Sequence, residues 1–333
     1  MKQHYEWLTN IGILDFKDKT ALIVGGREMG MQYALALSKM NVKDITIITK
    51  SEKIPSEFCK SLGINALTGG FEEHLPNMGK KDLTIVATPI PLLLDATTRA
   101  IECGQNNILV EKPGSLYSNK LLDLAKKVGS KKVRIAYNRL VYPSFHKLMS
   151  MVDKGEDISS CRFCFTEWIH RIPFEKYQTD EYHRWGIANS LHVISMAMEL
   201  IGMPKEITLY QLGKLDWHPS GSVFVGSGIS RNDIPFSYHA DWGGGGRWEL
   251  EIITKKNAYR LIPLEEIHSC PTGSVAWKKE SLETAYTDVK PGIAEEVAVM
   301  LDDNIEEKIG LISLEKAAEL NKLAEKIFGY ERQ

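Results

Sequence analysis

Residues 20–30 read TALIVGGREMG, and this short stretch decides the fold. A β-branched apolar run of strand length ends in paired glycines. A segment over residues 28–40 follows, in which Met29, Ala34, Leu35, Leu37 and Met40 recur at helical spacing. The same unit repeats outward along the chain. Residues 44–49 (DITIIT), 82–87 (DLTIVA), 107–111 (NILVE) and 132–137 (KVRIAY) are further apolar runs separated by stretches of helical length. Strands alternating with helices predict βαβ units on a parallel sheet, and continuously apolar strands predict that both sheet faces are covered. An α/β domain of this kind is expected over residues 1–140.

Beyond residue 140 the pattern changes. Helical stretches at 144–153 and 187–201 are set among strand-like runs at 159–168, 206–212, 222–228, 236–241, 247–254 and 258–262. Their spacing predicts an α+β domain over 141–310, built on an open, mainly antiparallel sheet with a helical layer. Ser313 reads as the N-cap of a final helix over 314–328 closed by Gly329, so residues 311–333 form a C-terminal helical segment. The glycine run Gly243–Gly246 lacks a strand-to-helix context and reads as a hairpin.

A chain of 333 residues can hold two cores without covalent staples. Its net charge of -2 leaves no electrostatic footprint for nucleic acid or an anionic membrane. No apolar run reaches the roughly 18 residues of a membrane span, and residues 1–10 lack a signal-peptide core. A cytoplasmic protein is the expectation. Five cysteines include a CxxC at Cys161 and Cys164. No second pair of ligands completes a tetrahedral site, so these are read as strand thiols and no metal is expected.

Gly25-Gly26-Arg27-Glu28-Met29-Gly30 lies where a dinucleotide fingerprint belongs, between the first strand and the first helix. Gly25 would make the tight turn, the helix N-terminus would face a pyrophosphate, and Gly30 would permit close helix–sheet packing. Arg27 occupies the middle glycine position of the strict pattern. The alternative is a purely structural turn. The second strand ends Thr49-Lys50-Ser51 with no carboxylate. A cation and two hydroxyls there suit a ribose 2′-phosphate, so NADP is expected over NAD; the alternative is a solvated lysine. Thr88-Pro89 and Glu111-Lys112-Pro113 close two further strands, at the carboxyl ends where ligands sit in such sheets.

The order VATP, NILVEKP, RIAYNR, then a helix carrying a histidine, resembles the Gfo/Idh/MocA oxidoreductases across essentially the whole chain. The resemblance implies an N-terminal Rossmann dinucleotide-binding domain, an open-sheet second domain, and NAD(P)-dependent redox chemistry on a sugar or polyol. It implies that Lys112 lies beside substrate and nicotinamide as the proton-transfer residue, often with a cis bond to Pro113. His192 matches the histidine of the family's D-x-x-x-H motif, while Ala188 stands at the aspartate position, next to Asn189. Leu93 stands where many relatives carry a histidine. Asn138, Arg139, Glu167 and Asn189 join His192 as candidate substrate contacts; His170, Arg171, His183, Arg184, Asp216, His218, His239 and Asp241 are polar neighbours with structural or substrate roles. Residues 166–174 (TEWIHRIPF) and 236–251 (FSYHADWGGGGRWELE) resemble a branch associated with surface-polysaccharide biosynthesis, which implies a sugar or nucleotide-sugar substrate. A homo-oligomer, dimer or tetramer, is implied by the resemblance alone. Two other readings stay open: a catalytically silent NADP-binding regulator, and an oxidoreductase of the same fold acting on an imine or dihydrodiol.

Overall fold

The computed structural model describes residues 5–50, 56–152 and 157–330. Six parallel strands form the first sheet: β1 Thr20–Val24, β2 Asp44–Thr49, β3 Asn65–Thr68, β4 Leu83–Val86, β5 Asn107–Glu111 and β6 Lys132–Ala136, in the order β3-β2-β1-β4-β5-β6. The apolar runs end up inside. Ala21–Val24 of β1 and all of β4 are buried, as a sheet covered on both faces requires. Order reverses between β1 and β4, whose partners are in register from Ala21↔Leu83 to Val24↔Val86. The carboxyl ends of these two strands therefore flank a topological switch point.

The compact unit built on this sheet comprises Trp7–Asn138 and Thr284–Glu319. The returning segment closes onto the sheet through named contacts. Helix Ile293–Leu301 packs on helix Glu28–Lys39. Asn107 Nδ2 donates to Met300 O at 2.9 Å, and Arg134 pairs with Glu306 at 2.7 Å. Ile135 N donates to Ile312 O at 2.8 Å. Gly292, with φ +85°, precedes the helix, and a Cβ there would lie 2.2 Å from Asn138 O.

The second unit contains Arg139–Glu283 and the chain from Leu320. Its eight strands are β7 Ile158–Phe165, β8 Pro204–Leu212, β9 Val223–Ser230, β10 Pro235–Asp241, β11 Trp248–Thr254, β12 Asn257–Leu261, β13 His268–Pro271 and β14 Lys278–Lys279. Their order is β14-β13-β12-β11-β7-β10-β9-β8, antiparallel except for the β7–β10 pair. Alternation along β11 buries every second residue, so one face is apolar. Helix Leu191–Ile201 covers that face through β7 and β11. Phe165, Phe224, Trp242 and Phe328 form an aromatic core; Phe328 lies 5.4 Å from Phe165 and 4.9 Å from Phe224. The opposite face carries ion pairs, with Arg162 3.4 Å from Glu249 and 3.3 Å from Glu251.

One expectation changes, and the cysteine pair is found on the strand where it was expected. Gly243–Gly246 does not close a hairpin, because β10 and β11 do not pair with each other. They flank β7, so the glycines form a crossing connection between strands on either side of it. Cys161 and Cys164 are three residues apart on β7 and point to opposite faces. Cys161 is buried, with burial pushing its thiol far above the usual range. The pair therefore shares no common side for a disulfide or metal.

Candidate active site

In the first unit the site grows from the end of β1. Gly25 adopts φ +116°, and a Cβ there would fall 2.4 Å from Ala87 O. Only glycine takes that conformation in that space. Gly26 follows, and exposed Arg27 is the N-cap residue of the twelve-residue helix Glu28–Lys39. Gly30 is packed against the turn, where a Cβ would meet Gly25 O at 1.9 Å. Thr88 stands across the switch point at the end of β4, and its buried Oγ1 meets no partner. Pro89 leads the next short helical turn. A close-approach turn, a helix amino end with a cation and a buried hydroxyl awaiting an acceptor or donor fit a nicotinamide dinucleotide. The Glu28 carboxylate opposes an anion there, but it is exposed and so screened by solvent. Thr49 ends β2 with its carbonyl accepting from Gly70 N at 3.1 Å; Lys50 is exposed, and Ser51 lies outside the described residues.

Glu111 ends β5, Lys112 follows it, and the Lys112–Pro113 bond is cis. Glu111 belongs to a cluster that the sequence does not reveal. Tyr33 Oη lies 2.9 Å from Glu111 Oε1 and 3.0 Å from Glu296 Oε2. One hydroxyl proton serves only one acceptor at a time, so the second contact requires a protonated carboxyl. Burial drives Glu296 well above the usual carboxylate range, and the Glu111 charge adds to the effect. Burial also raises Glu111, but the Lys112 and Lys290 cations and the Tyr33 contact oppose that. Glu296 therefore keeps the proton, and Glu111 carries the charge beside Lys112. Lys290 Nζ lies 3.3 Å from Met29 Sδ, which adds a second cation near the amino end of the glycine-turn helix.

The second unit assembles the other candidates around Glu167, just beyond β7. This carboxylate is 2% exposed. It accepts from Ser190 Oγ at 2.6 Å, Asn189 Nδ2 at 2.9 Å, Arg247 at 3.1 Å and Trp248 Nε1 at 3.2 Å. Burial pushes its pKa up, while Ser190, Arg247 and Asn189 hold it back. Ser190 and Asn189 reach it because Gly186–Ser190 is a π-helical turn, whose extra residue per turn re-aims side chains just before helix Leu191–Ile201. Ala188 is buried in this turn. His192 is buried in the first turn of the helix, its ring 5.7 Å from that of Trp248. Arg139 stacks on the same indole at 4.6 Å.

Three further candidates make contacts within the protein. Asn138, in the first unit, donates to Pro291 O at 3.1 Å. His218 accepts from Tyr330 and donates to Gly221 O at 2.8 Å. Arg184 pairs with Glu325 at 2.8 Å. Leu93 is fully buried and fills the core at a position where the resemblance suggests a histidine. Tyr33, Glu296, Lys290, Ser190, Arg247 and Trp248 escape sequence reasoning, because each lies far along the chain from the motif it supports or carries no motif of its own.

No family model matches the chain, and no curated protein does. Among solved structures it is similar to UDP-N-acetylglucosamine 3-dehydrogenase from Acidithiobacillus ferrooxidans, with 11% identity and a TM-score of 0.70 over 93% of this chain and 97% of the other. An oxidoreductase from Agrobacterium radiobacter in complex with NAD+, L-tartaric acid and magnesium gives a TM-score of 0.76 at 11% identity, over 95% and 96% of the two chains. Levoglucosan dehydrogenase in complex with NADH and levoglucosan gives 0.69 at 17% identity, over 93% and 96%. At these identities the likeness is one of fold, and it covers both units.

Proposed function

We propose that this protein is an NADP-preferring oxidoreductase that interconverts a hydroxyl and a ketone on a sugar or sugar derivative. The observation that carries the reading is the switch point of the first sheet. There the Gly25 turn, the unpartnered Thr88 hydroxyl and the Lys112 amine stand at the ends of three neighbouring strands. The oxidoreductase and the dehydrogenase of like fold that were solved with NAD+ and NADH support a nicotinamide cofactor. Thr49 and Lys50 would meet the adenosine ribose, and the lack of a carboxylate there favours a 2′-phosphate. A surface-glycan substrate is the finer reading, resting on the sequence resemblance alone.

When bound, the nicotinamide supplies the hydride chemistry. The chain supplies position and protons. Gly25, Arg27 and the helix amino end would hold the pyrophosphate. Lys112 exchanges a proton with the reacting oxygen, with the Glu111 charge beside it to stabilise its ammonium form. Glu167, held by four donors, orients Asn189, Ser190 and Trp248, and His192 is a second hydrogen-bonding or proton-transfer group for the sugar.

Steady-state turnover of three proteins tests these roles. Lys112→Met should lower turnover by roughly 10²–10⁴-fold with cofactor affinity nearly unchanged. His192→Asn should cost less, on the order of tenfold to a hundredfold. Near-normal turnover of Lys112→Met removes the lysine from the mechanism. A larger loss at His192 makes the histidine the principal acid–base group.

A further inference from the structure

Three side chains from separate segments of the first unit form one chain of hydrogen bonds. Tyr33 comes from helix Glu28–Lys39, Glu111 from the end of β5, and Glu296 from the returning helix Ile293–Leu301. Tyr33 Oη stands between the two carboxyls, 2.9 Å from Glu111 Oε1 and 3.0 Å from Glu296 Oε2. The direction of the chain follows from its surroundings. Tyr33 and Glu296 are fully buried, whereas Glu111 is partly exposed where its strand ends. The other oxygen of Glu296, Oε1, is buried and has no hydrogen-bond partner among the described residues. A negative charge on Glu296 would be desolvated and held by one hydrogen bond, so Glu111 is the less costly place for it. Glu296 therefore donates to Tyr33, and Tyr33 donates to Glu111. Burial and the two carboxyls hold the Tyr33 hydroxyl far above its ordinary range, so it keeps its proton. The other charged groups acting on the pair are Lys290 on both carboxyls, Lys112 on Glu111, and Glu295 on Glu296.

We infer that Tyr33 is a positioning residue for the proton-transfer lysine: its hydroxyl, oriented by the neutral Glu296, fixes the charged carboxylate of Glu111 beside Lys112. The inference rests on the reading that Lys112 exchanges the proton of the reaction. Tyr33 and Glu296 need touch neither substrate nor cofactor for this. Without the Tyr33 hydroxyl, Glu111 loses its donor, carries its charge less readily, and stabilises the Lys112 ammonium less. The returning segment thereby bears on the chemistry of a strand end far from it along the chain.

Acylation of Lys112 by an amine-directed reagent, followed across pH by mass spectrometry of the full chain, tests this without a substrate, because only the neutral amine reacts. The labelling midpoint should lie lower by about half a pH unit or more in Tyr33→Phe, and at least as far down in Glu111→Gln. The double variant should lie no lower than Glu111→Gln alone, since Tyr33 acts through Glu111. Glu296→Gln should keep the parental midpoint, because its amide also donates to Tyr33 Oη. Tyr33→Phe keeps the ring that fills the core, and melting temperatures check that each variant folds. An unchanged midpoint in Tyr33→Phe overturns the inference, as does a Tyr33→Phe shift that persists in the Glu111→Gln background. A raised midpoint in Glu296→Gln also overturns it, because the parental charge would then sit on Glu296. Infrared spectra at neutral pH give a second measurement: the carbonyl band of a protonated carboxyl should be lost in Glu296→Gln, and its loss in Glu111→Gln instead overturns the assignment. The expected shifts in a protein whose Lys112→Met variant turns over normally leave the hydrogen-bond chain standing and remove the lysine from the reaction. Unmoved midpoints with an inactive Lys112→Met do the reverse.

Discussion

Glu296 shows how a residue can be read wrongly from its letter. It is a glutamate in the first turn of a helix, yet it is fully buried with Tyr33 on one side and the Glu111 charge nearby. A carboxyl in that position holds its proton, so an amide should replace it at little cost. Glu296→Gln is expected to change stability by no more than about 1 kcal/mol, since a neutral hydrogen-bonding group is retained. Glu111→Gln removes the charge beside Lys112 and should depress turnover while leaving folding largely intact. Urea unfolding and steady-state rates of both variants decide the matter. A Glu296→Gln protein several kcal/mol less stable than the parent would mean that Glu296 is ionised. Lys112 and Glu111 are legible in sequence because they sit side by side at the end of an apolar strand. Tyr33 and Glu296 are not, because their partnership spans 263 residues and no local pattern encodes it.

At the scale of elements, the strands were readable to within a residue or two wherever a β-branched apolar run ended in a turn, as at β1, β2 and β5. β3, Asn65–Thr68, was not, because it is largely exposed and has no apolar run. Helix Ile293–Leu301 was missed for the opposite reason: all nine residues are buried, so no amphipathic stripe marks it. The π-turn Gly186–Ser190 is a third case. Its geometry depends on Tyr330 Oη, which accepts from Gly186 N at 3.0 Å and donates to His218 Nε2 at 2.7 Å. His218 then donates from Nδ1 to Gly221 O, which leaves Nε2 without a proton. Burial pushes its pKa down to about 4 from an ordinary 6.5. The unfolded chain therefore binds a proton that the folded one refuses between these values, and stability falls as pH drops through that window. The full loss is roughly 3 kcal/mol, reached near pH 4. In the first unit Glu295 works the other way: burial raises it to about 7, so its contribution is present below an ordinary 4.5 and declines as pH rises toward 7. Denaturant midpoints of parent and His218→Phe across pH 4 to 7 test the first effect. An acid-side slope unchanged in the variant would show that His218 is not its source.

At the scale of the whole molecule, the sequence suggests two domains in series, whereas the chain leaves the first unit at Arg139 and returns to it over Thr284–Glu319. That return is a matter of tertiary packing: Asn107, Arg134 and Ile135 find partners after residue 299 that no spacing rule anticipates. The α/β class and the open, mainly antiparallel second sheet were readable, because each follows from strand composition and spacing. Charge placement was not, since a net charge of -2 does not reveal that Arg139 and Arg247 stack on Trp248. Among the described residues no helix is long and apolar enough to cross a membrane. The most direct test of the central claim is formation of reduced nicotinamide from NADP+ and from NAD+ by the purified protein, against a panel of neutral, acidic and nucleotide-linked sugars. Turnover of at least one sugar is expected, with a higher kcat/KM for NADP+ than for NAD+. Stoichiometric cofactor binding with no turnover of any sugar, in either direction, would contradict it and leave a cofactor-binding regulator in its place.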